Sequence, residues 1–382
     1  MIEHAFGFAW NYVIIFLVIL TVVVFVHEMG HYLVARWNGV RIDVFSIGFG
    51  RELFGWNDKS GTRWRVSLLP LGGYVKMFGD EDEASAGATK RELTPEEQAV
   101  SFHHKRVGQR FAIVAAGPLA NFVFGIVVLA ALFVWAGQPM TAPVVGKVVE
   151  NSAAAEAGIQ LGDRIVSING QAIRRFQDIQ HIVRLRIDEP LTVVVARGDG
   201  TVTMTTRARV TETTDVFGNQ HRIPVLGIGA SVDQATRDVV RHGPVSALVA
   251  AVEETGTIVG STFTALGQMI AGTRDSEELG GPLRIAKGAG QAAQMGIESV
   301  ISYVILLSIN LGLINLFPIP LLDGGHLAFY TVEALRGRPL SIRAQEYGFR
   351  IGLFLVFALM IFATRNDLID LKVWDFFKGL VS

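Results

Sequence analysis

Several stretches of the sequence are apolar enough to cross a membrane. Each contains a long run with few or no charged residues, and we place transmembrane helices at residues 1–36, 111–136, 299–325 and 350–365. The last run is short for a full span, but Arg350 and Arg365 flank it, and long basic side chains reach the interface from just inside the bilayer. The pattern predicts a multi-pass α-helical membrane protein with about four transmembrane helices.

The segments between these helices carry different patterns. Within residues 37–110, the stretches 45–50 and 64–78 alternate like strands broken by glycine turns, which predicts a β-hairpin. Residues 141–230 combine short strands and helices and predict an inserted α+β domain. Residues 231–298 predict amphipathic surface helices; within them, 255–273 is uncharged and long enough to span, but its many Gly, Thr, Ser and Gln residues favour the surface. Residues 366–382 predict an interfacial tail.

The composition agrees with a membrane protein that carries a soluble part. Of the 382 residues, 50% are hydrophobic, and the formal net charge of −1 gives no footprint for nucleic-acid binding. The lack of cysteine excludes disulfides, thiolate metal sites and a cysteine nucleophile. No basic region precedes the first apolar run, so we expect a retained span there rather than a secretory signal.

The distribution of basic residues predicts the orientation in the membrane. Lysine and arginine crowd the segment between the first two spans and recur between residues 336 and 350. Because basic loops stay in the cytoplasm, we expect the N-terminus and residues 141–298 to lie outside it.

The first span contains the pattern His-Glu-x-x-His, formed by His27, Glu28 and His31. Histidines four residues apart lie on one face of a helix and suit two nitrogens on one zinc ion, with the intervening glutamate placed as a base for water. The alternative is a helix end where polar residues meet the interface. Apolar residues continue as far as residue 35, and ionisable side chains are costly inside the hydrocarbon unless compensated, so we favour the metal site.

The end of the third span carries a second polar cluster. Pro318 and Pro320 cannot continue a helix, and open backbone at membrane depth is tolerated where it lines a protein or water cavity. Asn315 offers such a cavity both donor and acceptor, and Asp323 ends the span. Asp323 reaches the depth of the histidine pair only if residues 255–273 do not cross the membrane. An ordinary helix end with a proline stop is the alternative.

The sequence resembles the site-2 protease family of zinc intramembrane metalloproteases, which pairs the two motifs just described. The similarity covers nearly the whole chain and includes residues 48–50, 70–76 and 281–290. It implies that Glu28 is the catalytic base and that the zinc ligands are His27, His31 and Asp323. It also implies substrate contacts from Asn315, Pro318 and Pro320, and from a membrane-dipping β-hairpin at Gly72, Gly73, Tyr74 and Val75.

Residues 141–230 resemble a PDZ domain, most specifically in Gly162-Asp163-Arg164-Ile165 followed by Asn169-Gly170. PDZ domains bind extended peptides or protein C-termini by strand addition, in a groove between a strand and a helix. We expect this groove to be lined by Val144, Val145, Gly146, Lys147, Val148, Ile179, Ile182 and Val183. A blocked groove in a domain that acts as a spacer is the alternative. A bacterial member of this family that the chain resembles carries two PDZ domains, whereas we find one.

The family resemblance further implies a reaction and its partners. The reaction is cleavage of the transmembrane segments of single-span membrane proteins, such as anti-sigma factors or signal-peptide remnants, in regulated intramembrane proteolysis. The setting is the lipid bilayer of a bacterial inner membrane, with the active site towards the cytoplasmic side and the PDZ domain outside. Two other hypotheses stay open: a polytopic cation transporter, which predicts internal repeats that we do not find, and an inactive PDZ-bearing scaffold, which predicts loss of a motif residue.

Overall fold

The computed structural model describes residues 2–80, 92–186, 189–214, 220–231, 237–272 and 279–370. Its α-helices are α1 (Ile2–Trp37), α2 (Pro95–Val100), α3 (Val107–Trp135), α4 (Ala153–Glu156), α5 (Phe176–Arg184), α6 (Pro244–Ile270), α7 (Pro282–Gln294), α8 (Ile297–Asn315), α9 (Asp323–Arg336) and α10 (Ile342–Asp370). Its strands are β1 (Ile42–Asn57), β2 (Arg63–Met77), β3 (Gln138–Thr141), β4 (Val145–Val148), β5 (Arg164–Ile168), β6 (Gln171–Ala172), β7 (Pro190–Arg197), β8 (Gly200–Arg207), β9 (Arg209–Thr214), β10 (Gln220–Val225), β11 (Ile228–Ala230) and β12 (Arg237–Val240).

The chain forms two compact units, residues 1–129 with 277–382, and residues 130–276. Among the described residues, four helices are long and apolar enough to cross a membrane, at Tyr12–Trp37, Val107–Trp135, Ile297–Asn315 and Arg343–Ile369. Helix α6 contains the ambiguous stretch 255–273 up to Ile270 and is not among those four. The protein is therefore a membrane protein by the length and composition of its helices.

Two of the predicted spans differ from the observed helices. The third helix, predicted to reach residue 325, ends at Asn315, and Asp323 begins α9 instead of ending the span. Pro318 and Pro320 cause this, because neither can donate the backbone hydrogen bond that a continuing helix needs. The fourth helix, predicted at 350–365, extends to both sides as α10. Of the predicted tail, residues 371–382 lie outside the described part of the chain.

Strands β1 and β2 form a folded hairpin beside the first helix. Residues Val44 to Ile47 of β1 face Gly73 to Lys76 on one side and Arg63 to Val66 on the other. Strand β1 bends at Gly48 and Gly50, whose positive φ angles suit glycine, and its second half, residues 52–57, pairs with residues 63–67 of β2. Among the described strands, the Gly73 to Met77 part of β2 is consequently an edge.

The turn between β1 and β2 is fastened to α1 through one carboxylate. Asp58 accepts hydrogen bonds from the hydroxyl of Tyr32 (3.1 Å) and the indole N–H of Trp64 (3.0 Å), and also from the backbone N–H groups of Ser60 and Thr62. The rings of Tyr32 and Trp64 also meet edge to face, with centroids 5.2 Å apart. Since Tyr32 follows His31 directly, these contacts position the hairpin relative to the histidine pair.

The second unit has a four-stranded sheet in the order β6-β5-β7-β8, with α5 among the elements that enclose its core. Strand β4 pairs with β11, and β3 pairs with β12. Arg197 donates two hydrogen bonds to Asp163, of 2.7 and 2.8 Å, and thereby holds the pKa of that carboxyl below its ordinary value. The fully buried core side chains include Val145, Ile165, Ile168, Ile179, Leu191, Val193 and Val195.

Candidate metal centre

Two histidines and one aspartate meet at the centre of the first unit. The Nε2 atoms of His27 and His31 lie 3.3 Å apart, and Oδ2 of Asp323 lies 3.1 Å from the first and 3.6 Å from the second. All three ligand atoms lie within 4.8 Å of one another, and both histidines are buried. Residues nearly 300 positions apart in the sequence thus form one compact set of donors.

The donor set fits a zinc ion. Zinc binds imidazole nitrogen and carboxylate oxygen at about 2.0–2.2 Å, so ligand atoms around a tetrahedral ion lie about 3.3–3.6 Å from one another. The three observed separations fall in or close to that range. Three protein ligands leave one position open, which is typical of catalytic rather than structural zinc sites.

Helix α3 supports both histidine rings from one side. Nδ1 of His31 lies 2.9 Å from the backbone carbonyl oxygen of Ile113, and Nδ1 of His27 lies 3.2 Å from the side-chain amide of Asn121. Between them, a Cβ atom at Gly117 would lie 2.3 Å from Nε2 of His31. Residues 113, 117 and 121 are spaced by four, so they share one face of α3. That face of α3 therefore offers the two histidine rings a backbone carbonyl, space beside Gly117 and a side-chain amide.

Asp323 reaches the histidines from the first turn of α9. A carboxylate is favoured there by the helix dipole. The loop after α8 lies directly on this turn, because Cβ atoms at Gly324 and Gly325 would fall 2.1 and 2.5 Å from the carbonyl oxygens of Phe317 and Ile319. At the other end of α9, Glu333 pairs with Arg110 of α3 at 2.5 Å. The glycines and this ion pair hold α9 where its first residue faces the histidines.

Glu28 lies between the ligand set and the edge of the hairpin. A Cβ atom at Gly73 would lie 3.3 Å from Cγ of Glu28, so the edge strand lies directly against this side chain. The side chain therefore sits where β2 turns its unpaired edge towards the metal centre.

A cavity of about 840 Å³ contains the site. Of the residues predicted to contact substrate, Asn315, Gly72, Gly73, Tyr74 and Val75 line this cavity together with the three ligands and Glu28. Pro318 and Pro320 do not line it, and Pro320 instead lies against α10, where a Cβ atom at Gly352 would fall 1.8 Å from its carbonyl oxygen.

Several residues of the cavity wall carry no prediction from the sequence. They include Phe102, Leu311, His326, Tyr330 and Val356. A signal existed for His326 alone, since a histidine three residues after Asp323 lies on nearly the same face of α9. The other four are apolar or aromatic and have no pattern that separates them from ordinary core residues.

The groove of the second unit differs from the predicted one. A cavity of about 330 Å³ is lined by Lys147, Ile179 and Val183 of the predicted set. Val144, Val145, Gly146, Val148 and Ile182 do not line it. Strand β4 is not an open edge, because β11 pairs with it and Val145 is buried in the core. The strand that borders the cavity comes from later in the chain, and the remaining lining residues are Val149, Phe176, Gln180, Arg184, Thr211, Pro224, Val225, Leu226, Gly227, Ile228 and Gly229.

Relatives named as metalloproteases match nearly the whole chain. A "putative zinc metalloprotease" of Agrobacterium fabrum is 45% identical over 97% of this chain and 99% of its own length. "Metalloprotease MmpA" of Caulobacter vibrioides is 37% identical over 96% of this chain and 97% of its own length. Among solved structures, the PDZ domain of the SdrC-like protein of Listeria monocytogenes is 22% identical over 25% of this chain and 92% of that chain, with a TM-score of 0.19.

The family model described as Peptidase family M50 matches residues 15–359, a range that includes both motifs and the inserted unit. With its His-Glu-x-x-His helix, its distant aspartate and relatives named as metalloproteases, the chain belongs to peptidase family M50, the site-2 protease family, and is a membrane-embedded zinc metalloprotease.

Proposed function

We propose that this metalloprotease cleaves peptide bonds within the transmembrane segments of single-span membrane proteins. The observation that carries the proposal is the position of the catalytic set: His27, Glu28 and His31 belong to a helix long and apolar enough to span a bilayer, and they share one cavity with the edge of the hairpin. A protease acting on soluble substrates has no need to bear the cost of ionisable side chains at this depth.

Different residues around the cavity have different roles in hydrolysis. Bound by His27, His31 and Asp323, zinc would act as a Lewis acid and lower the pKa of a water molecule towards ~7. The carboxylate of Glu28 takes a proton from the attacking water and returns it to the nitrogen of the departing amine. The hairpin edge at Gly73 lies against the side chain of Glu28.

The hairpin edge provides a way to hold an unwound substrate. A transmembrane helix hides its peptide bonds in its own hydrogen bonds, so the segment must open before cleavage. No described strand lies beside the outer side of the edge at Gly72–Val75, so an opened substrate strand can pair there, in the manner of strand addition. Asn315 lines the same cavity and offers an amide donor and acceptor to the substrate backbone.

The inserted unit, in this proposal, is a PDZ-like domain that binds the exposed end of a substrate. Its cavity has an apolar wall, from Phe176, Ile179 and Val183, and two cations, Lys147 and Arg184. An apolar C-terminal residue with its free carboxylate matches that combination. Substrates already trimmed outside the membrane, such as anti-sigma factors or signal-peptide remnants, carry such ends. The distribution of basic residues supports an orientation in a bacterial inner membrane with this domain outside the cytoplasm.

The test is cleavage of a tagged single-span substrate in detergent by wild type, Glu28→Gln and the control Glu298→Gln, with zinc content measured on all three. Glu298 is an exposed glutamate in the first turn of α8. We expect the Glu28 variant to retain zinc and lose about 10²–10⁴-fold in rate, and the Glu298 variant to cut like wild type. Full cleavage by the Glu28 variant, or a wild-type protein without zinc, would refute the proposed mechanism.

A further inference from the structure

The two histidine rings face α3 with the nitrogen that does not point to the metal centre. For His31 the partner is the carbonyl oxygen of Ile113, 2.9 Å from Nδ1. A carbonyl oxygen can only accept, so Nδ1 of His31 carries the proton and donates. Its Nε2 is then unprotonated and free to bind a metal ion.

The partner of His27 is the side-chain amide of Asn121, and its orientation decides the tautomer. In the structure Nδ2 of Asn121 faces Nδ1 of His27 at 3.2 Å. With that orientation Nδ1 accepts, and the proton of the neutral ring moves to Nε2, the atom that must bind zinc. The oxygen Oδ1 of Asn121 is then buried without a hydrogen-bond partner among the described residues. Turning the amide by 180° removes the conflict at the ring, since Oδ1 then accepts from Nδ1–H of His27 and the shape of the side chain is unchanged; Nδ2 then takes the position that Oδ1 held.

We propose that Asn121 is a positioning residue for the metal centre: its Oδ1 accepts the Nδ1–H of His27 and holds that ring in the tautomer that presents Nε2 to zinc. The inference rests on the proposed zinc site and goes beyond it, because it assigns the second contact of each ligand histidine to α3. Partners of this kind fix the tautomer and orientation of metal-binding histidines.

The surroundings of Asn121 make this contact rigid. The residue is fully buried, and its backbone oxygen accepts a hydrogen bond from the hydroxyl of Ser308 on α8 at 3.0 Å. A Cβ atom at Gly312 would lie 3.2 Å from its Cβ. An asparagine inside an apolar helix is costly unless it has a polar partner, and the ring of His27 is the partner within reach of its amide.

The experiment measures zinc rather than cleavage. The dissociation constant for zinc is determined by competition with a chelator on the full chain in detergent, and the absorption spectrum of the Co²⁺ form reports the ligand geometry. The variants are Asn121→Asp, Asn121→Leu and Ser308→Ala. Asp and Leu have nearly the shape of Asn, but Asp only accepts and Leu does neither. Ser308→Ala removes the other contact of the same residue and leaves the amide in place.

We expect Asn121→Leu to weaken zinc binding by about 10–100-fold, with an altered Co²⁺ spectrum, while Asn121→Asp stays within about threefold of wild type or binds more tightly. If the amide donated through Nδ2 instead, Asp would be as harmful as Leu, and the proposal would be wrong. It would also be wrong if Leu bound zinc like wild type, or if Ser308→Ala weakened zinc as much as Leu does. Asn121→Ala replaces the Leu variant if that protein does not purify as a single species.

The outcomes separate this inference from the proposed function. A wild-type protein that binds zinc while Asn121→Leu binds it equally well overturns the role of Asn121 and leaves the protease mechanism intact. A wild-type protein that binds no zinc overturns the metal centre itself.

Discussion

Gly117 is the position at which the smallest change should do the greatest damage to the metal centre. In Gly117→Ala the new Cβ would lie 2.3 Å from Nε2 of His31, 2.5 Å from Cε1 and 2.9 Å from Cδ2, whereas ordinary van der Waals contact begins at 3.4 Å. The ring must therefore move by about 1 Å, five times the ±0.2 Å within which ligand distances normally vary. The ring has little freedom to move, because the carbonyl of Ile113 holds its other nitrogen.

The expected result is loss of the metal rather than loss of the helix. Alanine favours a helix over glycine by about 1 kcal/mol, so α3 itself should become more stable. Zinc affinity should fall by at least about 100-fold, measured by chelator competition and by metal analysis of the purified protein. The matched control is Gly108→Ala in the same helix, where a new Cβ meets nothing within 4 Å. Stoichiometric zinc with wild-type affinity in Gly117→Ala would refute the argument.

Three further substitutions test contacts away from the ligands. Asp367→Ala removes a buried carboxylate that accepts from three backbone N–H groups at the start of α7. It should therefore lower the free energy of unfolding in detergent by about 2–4 kcal/mol relative to the exposed control Asp199→Ala. An effect equal to that of the control would contradict this. Asp58→Ala frees the hairpin turn from α1, so hydrogen exchange at residues 63–77 should rise while zinc content stays at the wild-type level; unchanged exchange would show that the turn is held elsewhere. Because the pKa of Asp163 is lowered in the fold, the carboxylate stabilises its domain at pH above its unfolded pKa of about 4, and this stability is lost as pH falls through the folded pKa. Asp163→Asn should abolish the acid-dependent part of protection in β5, measured by hydrogen exchange corrected for its intrinsic pH dependence. An acid dependence like that of wild type would argue against the contact.

The ligand set could be predicted because its chemistry depends on residue type and short spacing. His27 and His31 share a helix face whatever the rest of the chain does. Asp323 stands out because two prolines interrupt an apolar run just before it, which marks open backbone at membrane depth. The helix that follows the prolines could not be predicted. Asp323 begins α9, whose first turn contains two glycines and whose sequence has no clear helical periodicity.

The support for the ligands could not be predicted, because it depends on how two helices cross. Ile113 contributes a backbone carbonyl, which any residue would offer, so its identity carries no signal. Asn121 is a polar residue in an apolar span, but its partner is fixed by the crossing of α1 and α3.

The groove of the second unit was misplaced for a similar reason. Alternating residues predict β4 as a strand, but alternation does not tell which neighbour covers it. The covering strand, β11, follows about 80 residues later in the chain, and its pairing with the edge of β4 is visible only in the folded structure.

The separation of the ligands along the chain has a consequence for how this architecture varies. An ion held by His31 and Asp323 would tie together the two ends of a loop of roughly 290 residues, about half of it the inserted unit. The entropy of closing a loop grows only with the logarithm of its length, so adding a second domain of about 100 residues would raise the closing cost by about 0.3 kcal/mol. Insertions between the second and third spans are therefore nearly neutral for metal binding, and a chain of this design can gain or lose whole recognition domains while its catalytic machinery stays the same.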